Sequence, residues 1–99
     1  MGIVMVRYRV KTDRVQENER LVGGVYEELA QEKPDGFKYG TFKLDDGASF
    51  LHLAVLADGV ENPLGKLAAF ARFQQEIADR CEEQPVVTQL SEVGSYGLL

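Results

Sequence analysis

The sequence predicts a single α+β domain of the ferredoxin-like kind, β-α-β-β-α-β, with a four-stranded antiparallel sheet and both helices on one face. Three observations predict it. Four short runs rich in β-branched and aromatic residues are separated by two stretches with helical spacing of apolar residues. An Asp-Gly step, Asp46-Gly47, lies between the second and third runs, where it favours a hairpin. The chain has 99 residues, 44% of them hydrophobic, enough for one modest core, so residues 1–99 form one domain.

The first strand is Ile3–Val10 (IVMVRYRV), apolar at its start and alternating toward its end. Thr12 and Asp13 then offer a helix N-cap, and Asp13 with Gln16 fits a capping box. In the helix that follows, Val15, Leu21, Val22, Val25 and Leu29 recur at helical spacing, while Glu17, Arg20, Glu27 and Glu28 can face water. The pair Gly23-Gly24 costs about 1 kcal/mol per glycine relative to alanine. Close approach of the helix backbone to the sheet, or a bend beside a pocket, would offset that cost.

Pro34, Asp35 and Gly36 end the helix, and Gly36–Leu44 reads as the second strand. A tight turn at Asp45, Asp46 and Gly47 leads into the third strand, Ala48–Leu56. A two-residue turn would set Thr41 opposite His52, with Tyr39 on the same face; a three-residue loop would set Gly40 there. Asn62 is suited to an N-cap and Pro63 to the first helical position, and a second helix should run to about Arg80. Its stripe is Leu64, Leu67, Phe70, Ala71, Ile77, Ala78 and Cys81. After Pro85, Val86–Val93 supplies the last strand, followed by the tail GSYGLL.

Composition excludes several classes of function. A net charge of −5 argues against nucleic acid as a partner, because affinity for a polyanion comes largely from Lys and Arg on phosphates. No basic leader followed by a long apolar segment opens the chain, and no run of 18 apolar residues occurs, so a soluble, unprocessed protein without membrane association is expected. The single Cys81 cannot pair within the chain, which suits a reducing cytoplasm, and it reads as a small buried hydrophobe. No Cys/His cluster has metal-ligand spacing. The phosphate-cradling, dinucleotide, zinc-hydrolase and nucleophile-elbow motifs are absent, Gly94-Ser95-Tyr96-Gly97 having the wrong spacing for the last.

Two helices cover only one face of the sheet, yet both faces are apolar. In the third strand Leu51, Leu53 and Val55 point one way, and Phe50, His52, Ala54 and Leu56 the other. In the first, Ile3 and Met5 oppose Val4 and Val6. An antiparallel sheet open to water would alternate apolar with polar. The expected solution is a homodimer in which two sheets pack face to face, with Tyr96, Leu98 and Leu99 of the tail reaching onto the partner.

The segment order, the length, the PDGF turn (Pro34–Phe37) before strand two and Ala71-Arg72-Phe73-Gln74 in the second helix resemble the antibiotic biosynthesis monooxygenase family over nearly the whole chain. That resemblance implies a dimeric α+β barrel with a pocket between sheet and helices. In some members it implies oxidation of polycyclic phenols or quinols with no cofactor; other members bind and degrade haem. Where relatives often carry Glu-x-Trp at the end of strand three, this chain has Ala54-Val55-Leu56, and where a His-Phe pair is common it has Arg72-Phe73. Phe73 and Gln74 carry over.

The only histidine, His52, sits in the apolar run FLHLAVL. Val4, Val6, Tyr8 and Val10 form the more uniformly apolar side of strand one and should face the helices, which turns Arg7 and Arg9 the other way. Strands one and three are neighbours, so His52 and the arginines are expected on one face. His52 is then a candidate general base for a phenol, with Arg7 or Arg9 stabilising the phenolate, and Tyr39, Thr41, Phe50 and Phe73 completing a site for a small aromatic molecule. The alternative is a barrel that binds a hydrophobic ligand, or acts as an interaction module, without catalysis. In that case His52 is a packed residue with a hydrogen-bonded ring nitrogen.

Overall fold

Strand β1 (Gly2–Val10) lies inside a four-stranded antiparallel sheet of order β2-β3-β1-β4, which the computed structural model describes in full for residues Met1–Leu99. Helix α1 (Val15–Glu32) follows β1, and the hairpin β2 (Phe37–Lys43) and β3 (Ser49–Leu56) follows α1. A 3₁₀ turn (Pro63–Lys66), α2 (Ala68–Gln74) and the single-turn α3 (Ile77–Arg80) lead to β4 (Cys81–Leu90). This is the ferredoxin-like order expected from the sequence.

Tyr8, Val10 and Phe50 from the sheet pack against Val25 of α1 and Leu64, Leu67, Ala69 and Phe73 around α2 in one buried cluster. Both helices therefore cover the face that carries the even-numbered residues of β1 and β3. The aromatic rings interlock there: Tyr8 stacks on Phe50 at 5.6 Å and meets the edge of Phe73 at 6.1 Å between centroids.

Four local expectations are corrected. Helix α1 begins after a 3₁₀ turn (Thr12–Arg14) with no side-chain cap, so the Asp13–Gln16 capping box does not form. A Cβ added at Gly24 would meet Ala69 Cβ of α2 at 3.9 Å, an ordinary contact, and one at Gly23 would meet nothing within 4 Å, so close approach to the sheet does not account for the glycine pair. Glu28, one turn on, accepts a 2.8 Å hydrogen bond from Ala69 N and caps α2 from a distance.

The second helix is not continuous to Arg80. Asn62 caps only the 3₁₀ turn, through Leu64 N at 3.0 Å, and the chain breaks at Leu67 and again at Glu76, where φ is +64°. The second break is filled by Arg80, wholly buried, whose Nη2 donates to Phe73 O at 2.7 Å and Nη1 to Gln75 O at 3.5 Å. An arginine that caps the carbonyls at the end of α2 replaces the backbone donors a continuous helix would have used.

The last strand begins at Cys81, which pairs with Val10, so this buried cysteine belongs to β4 and not to a helical stripe. Pro85 falls within β4, where the register to β1 shifts between Arg7 and Arg9. β4 is an edge strand, and a bulge there tolerates a residue without an N–H.

The β2–β3 register sets Thr41 opposite His52, as the two-residue alternative required. The strands nevertheless part between Leu44 and Ser49, whose closing hydrogen bond is 2.8 Å, and Asp45–Ala48 form the loop. Asp46 organises it, accepting from Ser49 Oγ at 2.5 Å and from the Ser49 and Ala48 amides at 2.8 and 2.9 Å. Those bonds hold its carboxyl down at about 2.

Candidate functional site

Between the sheet and α2 lies a cavity of about 460 Å³, within the usual range for small-molecule sites. Val4, Val6 and Ala54 form its floor, Leu64, Phe70 and Phe73 its roof, and Val87 and Pro85 of the edge strand one side. The polar groups that reach it include Tyr8, Tyr39 and His52.

Those three form a row. His52 is opposite Val6 of β1 and Thr41 of β2. In antiparallel pairing opposite residues share a face, so His52 joins Tyr8, two residues along β1, and Tyr39, two residues along β2. Its Nε2 lies 2.7 Å from the Tyr8 hydroxyl, and its Nδ1 lies 2.6 Å from the Tyr39 hydroxyl and 3.1 Å from Thr41 Oγ1. Thr41 Oγ1 is in turn 2.8 Å from the Tyr26 hydroxyl on α1. On the other side, Asn18 Nδ2 donates to the Tyr8 hydroxyl at 2.9 Å, and Asn18 Oδ1 accepts from Arg80 Nε at 2.9 Å. The face of the Phe73 ring is 5.3 Å from the Arg80 guanidinium carbon, a cation–π contact.

Burial sets the electrostatics. His52 is 5% exposed, and loss of hydration disfavours its cation, which lowers its pKa to about 4. It is therefore a neutral imidazole at pH 7. Burial pushes the hydroxyls of Tyr8 and Tyr39 well above the usual phenol range, although Asn18 opposes the rise at Tyr8.

Among the residues singled out from sequence, His52, Tyr39 and Phe73 meet at the cavity, with the His52 and Phe73 rings 5.4 Å apart. Thr41 stands behind His52, and Phe50 supports Tyr8 from beneath without lining the cavity. Arg7 and Arg9 are a correction. They pair with Leu51 and Ser49 of β3 and so lie on the opposite face from His52. Arg9 stands near Glu82, at 3.8 Å, and neither arginine can stabilise an anion in the cavity.

Sequence reasoning left out three members of the row. Periodicity places Tyr8 in the core and Arg80 at a helix end, and it gives Asn18 no role. A signal existed for two of them: Asn18 continues the apolar stripe Val15, Val22, Val25, and Arg80 falls on the Phe73–Ile77 stripe, yet both are fully buried. A polar residue at a core position must have partners there.

No protein-family model matches the chain. No curated protein matches it either. Solved structures do. An antibiotic biosynthesis monooxygenase superposes with a TM-score of 0.74 at 17% identity, over 95% of this chain and 100% of its own. Rv0793 from Mycobacterium tuberculosis gives 0.73 at 14% identity, over 95% and 96%. SnoaB, a cofactor-independent oxygenase from Streptomyces nogalater, gives 0.68 at 13% identity, over 97% and 96%. The chain thus has, over nearly its full length, the fold of antibiotic biosynthesis monooxygenase structures, as its resemblance implied. Fold at such identities does not carry chemistry with it.

Proposed function

We propose that the cavity binds a flat hydroxylated aromatic molecule and that the protein oxidises it with molecular oxygen and no cofactor. The observation that carries this reading is the Tyr8–His52–Tyr39 row, buried at Tyr8 and His52 and half-buried at Tyr39, on the wall of a cavity lined mainly by apolar side chains. The likeness in fold to a cofactor-independent oxygenase supports it.

The chemistry balances without a reductant. A phenol with a free ring C–H gains a C–O bond at that carbon while the O–O bond breaks. One oxygen stays as the new quinone carbonyl, and the other leaves as water with the hydroxyl and ring hydrogens. Oxygen takes its four electrons from the substrate. The protein must hold the substrate oxygen and move its proton. Tyr8 is the portal: its oxygen takes the substrate proton as its own passes to His52 Nε2, and His52 in turn supports the anion through Tyr39.

The low basicity of His52 limits the substrates. Passing a proton from an ordinary phenol, near pKa 10, to an imidazole at about 4 costs about 8 kcal/mol. About 16 kcal/mol is the whole barrier for a turnover of ten per second. Hydroxyls already acidified by a conjugated carbonyl fit better. The same low basicity favours a second reading, in which the cavity binds such a molecule without turning it over.

Oxygen uptake with a set of two- and three-ring phenols and quinols separates the two. Uptake matched one to one by quinone, and lowered about 100-fold or more in His52→Ala, is expected. Probes that raise the melting temperature with no uptake would leave binding alone.

A second copy of the chain is proposed as the cover of the outer sheet face. There Phe42 is 57% and Val86 62% exposed, beside Met5, Leu51 and Leu53. Light scattering should give twice the 11.0 kDa chain mass, and Phe42→Glu should halve it. A wild-type monomer at micromolar concentration would sink the dimer. No helix is long and apolar enough to cross a membrane. A reducing compartment such as the cytoplasm suits the buried, unpaired Cys81.

A further inference from the structure

We infer that the buried Arg80 fixes the direction of every hydrogen bond in the row, so that the row ends as a donor at Tyr39 and the cavity selects ligands by an acceptor oxygen: a phenolate, an enolate or a quinone carbonyl.

A guanidinium has donors only and stays charged at any ordinary pH. Arg80 is fully buried with no carboxylate in contact, and its Nε points at the Asn18 side chain 2.9 Å away. The atom of Asn18 that faces it must be the carbonyl oxygen, which leaves the amide nitrogen toward Tyr8, at 2.9 Å. The Tyr8 oxygen accepts that bond, so its one proton goes to its other neighbour, His52 Nε2, at 2.7 Å. Nε2 is then an acceptor without a proton. A neutral imidazole has one N–H, which must be on Nδ1. It points at the Tyr39 oxygen, at 2.6 Å, with Thr41 Oγ1 further off at 3.1 Å. The proton of Tyr39 is left for the neighbouring Thr41 or for a ligand in the cavity, and an anionic oxygen outcompetes a neutral hydroxyl for it.

Arg80, Asn18, Tyr8, His52 and Tyr39 thus form a relay with all donors pointing the same way, from a buried cation to the cavity wall. Chains of hydrogen bonds polarise one another in a low-dielectric interior, so the charge of Arg80 is felt at Tyr39 without entering the cavity. Arg80 and Asn18 are positioning residues. Neither lines the cavity, and each acts through the next.

The inference rests on the reading of this cavity as the ligand site, and it does not depend on turnover. Because the chain has one histidine, ¹⁵N-histidine labelling of the 99-residue chain yields a single imidazole. In the wild type at pH 7 the nitrogen shifts should show Nδ1 protonated and Nε2 bare. Asn18→Asp keeps the shape and gives Arg80 a carboxylate, yet it removes the donor to Tyr8. Tyr8 should then donate to Asp and accept from His52, moving the proton to Nε2 and drawing the Tyr39 proton back toward Nδ1.

Binding of 4-nitrophenolate, followed by absorbance, should weaken in Asn18→Asp by about ten-fold or more, the size of one charge-assisted hydrogen bond. Naphthalene, which has no acceptor oxygen, should bind both proteins within about two-fold. A wild-type imidazole protonated at Nε2 overturns the relay, and that spectrum needs no variant to fold. A folded Asn18→Asp that keeps the wild-type tautomer, or binds nitrophenolate as the wild type does, overturns it as well. Oxygen uptake reports separately: a protonated Nδ1 with no uptake removes the oxygenase reading and leaves the relay.

Discussion

Between pH 6.5 and 4, acid should destabilise this protein mainly through one side chain. His52 titrates near its ordinary value of 6.5 in the unfolded chain and at about 4 in the folded one, because burial disfavours the imidazolium. Above pH 6.5 both states hold a neutral ring and the residue contributes no pH dependence. Between the two values the unfolded chain binds a proton that the native state refuses, so stability falls as the pH is lowered. Each pH unit in that interval is worth about 1.4 kcal/mol, which brings the full loss to about 3 kcal/mol by pH 4. For a domain of this size that corresponds to roughly 15 °C in melting temperature.

The assay is urea unfolding at half-unit steps from pH 7.5 to 4, on the wild type and on His52→Gln. The variant loses stability at pH 7, since Tyr8 and Tyr39 lose their partner, but it should lack the slope between pH 6.5 and 4. Carboxylates held low in the native state, such as Asp46 at about 2 and Glu17 beside Arg14, lose their contribution only toward the acid end, and they do so in both proteins. The difference between the two curves therefore isolates the imidazole. Parallel curves, or an NMR titration of His52 near 6 or above, would refute the argument that burial governs this ring.

Arg80→Leu should cost about 3–5 kcal/mol in urea unfolding, because it strips the donors from Asn18 Oδ1, Phe73 O and Gln75 O inside the core, and Arg80→Lys should recover less than half. Two glycines should respond to alanine with opposite signs. Gly36, at φ +71° with Val60 Cγ2 only 2.7 Å from an added Cβ, should lose about 2 kcal/mol, whereas Gly23, inside α1 with nothing within 4 Å, should gain about 0.5–1 kcal/mol. Thermal melts of the two variants side by side are enough to check the pair.

Element order was legible because it rests on periodicity and punctuation, both local. The β-branched and aromatic runs of β1 and β3, the Asp-Gly step and the Asn62-Pro63 cap of the 3₁₀ turn each depend on a few neighbouring residues. What was not legible depends on contacts between distant segments. The break after α2 is held by Arg80, which gives up a helical backbone pattern for a side-chain cap reaching back to Phe73 and Gln75. No spacing rule announces that exchange. The start of β4 at Cys81 follows from it, since the residues freed from the helix become available to pair with β1.

The face on which His52 lies is the sharper case. Alternation in β1 and in β3 defines two faces for each strand, but not which face of one joins which face of the other, and a one-residue slip exchanges them all. His52 on one face with Arg7 and Arg9 is one of two pairings, and the register Val6 opposite His52 is the other. Polar satisfaction distinguishes them. A buried neutral imidazole needs a donor for one nitrogen and an acceptor for the other. Arginines offer donors only, and their charge would oppose protonation of the ring they face. The face with Tyr8, Tyr39 and Thr41 offers hydroxyls, which can serve either nitrogen. A lone histidine in an apolar strand is thus a register marker: the strand must slide until the histidine meets groups that can both give and take, and here that condition selects the pairing that also builds the cavity wall.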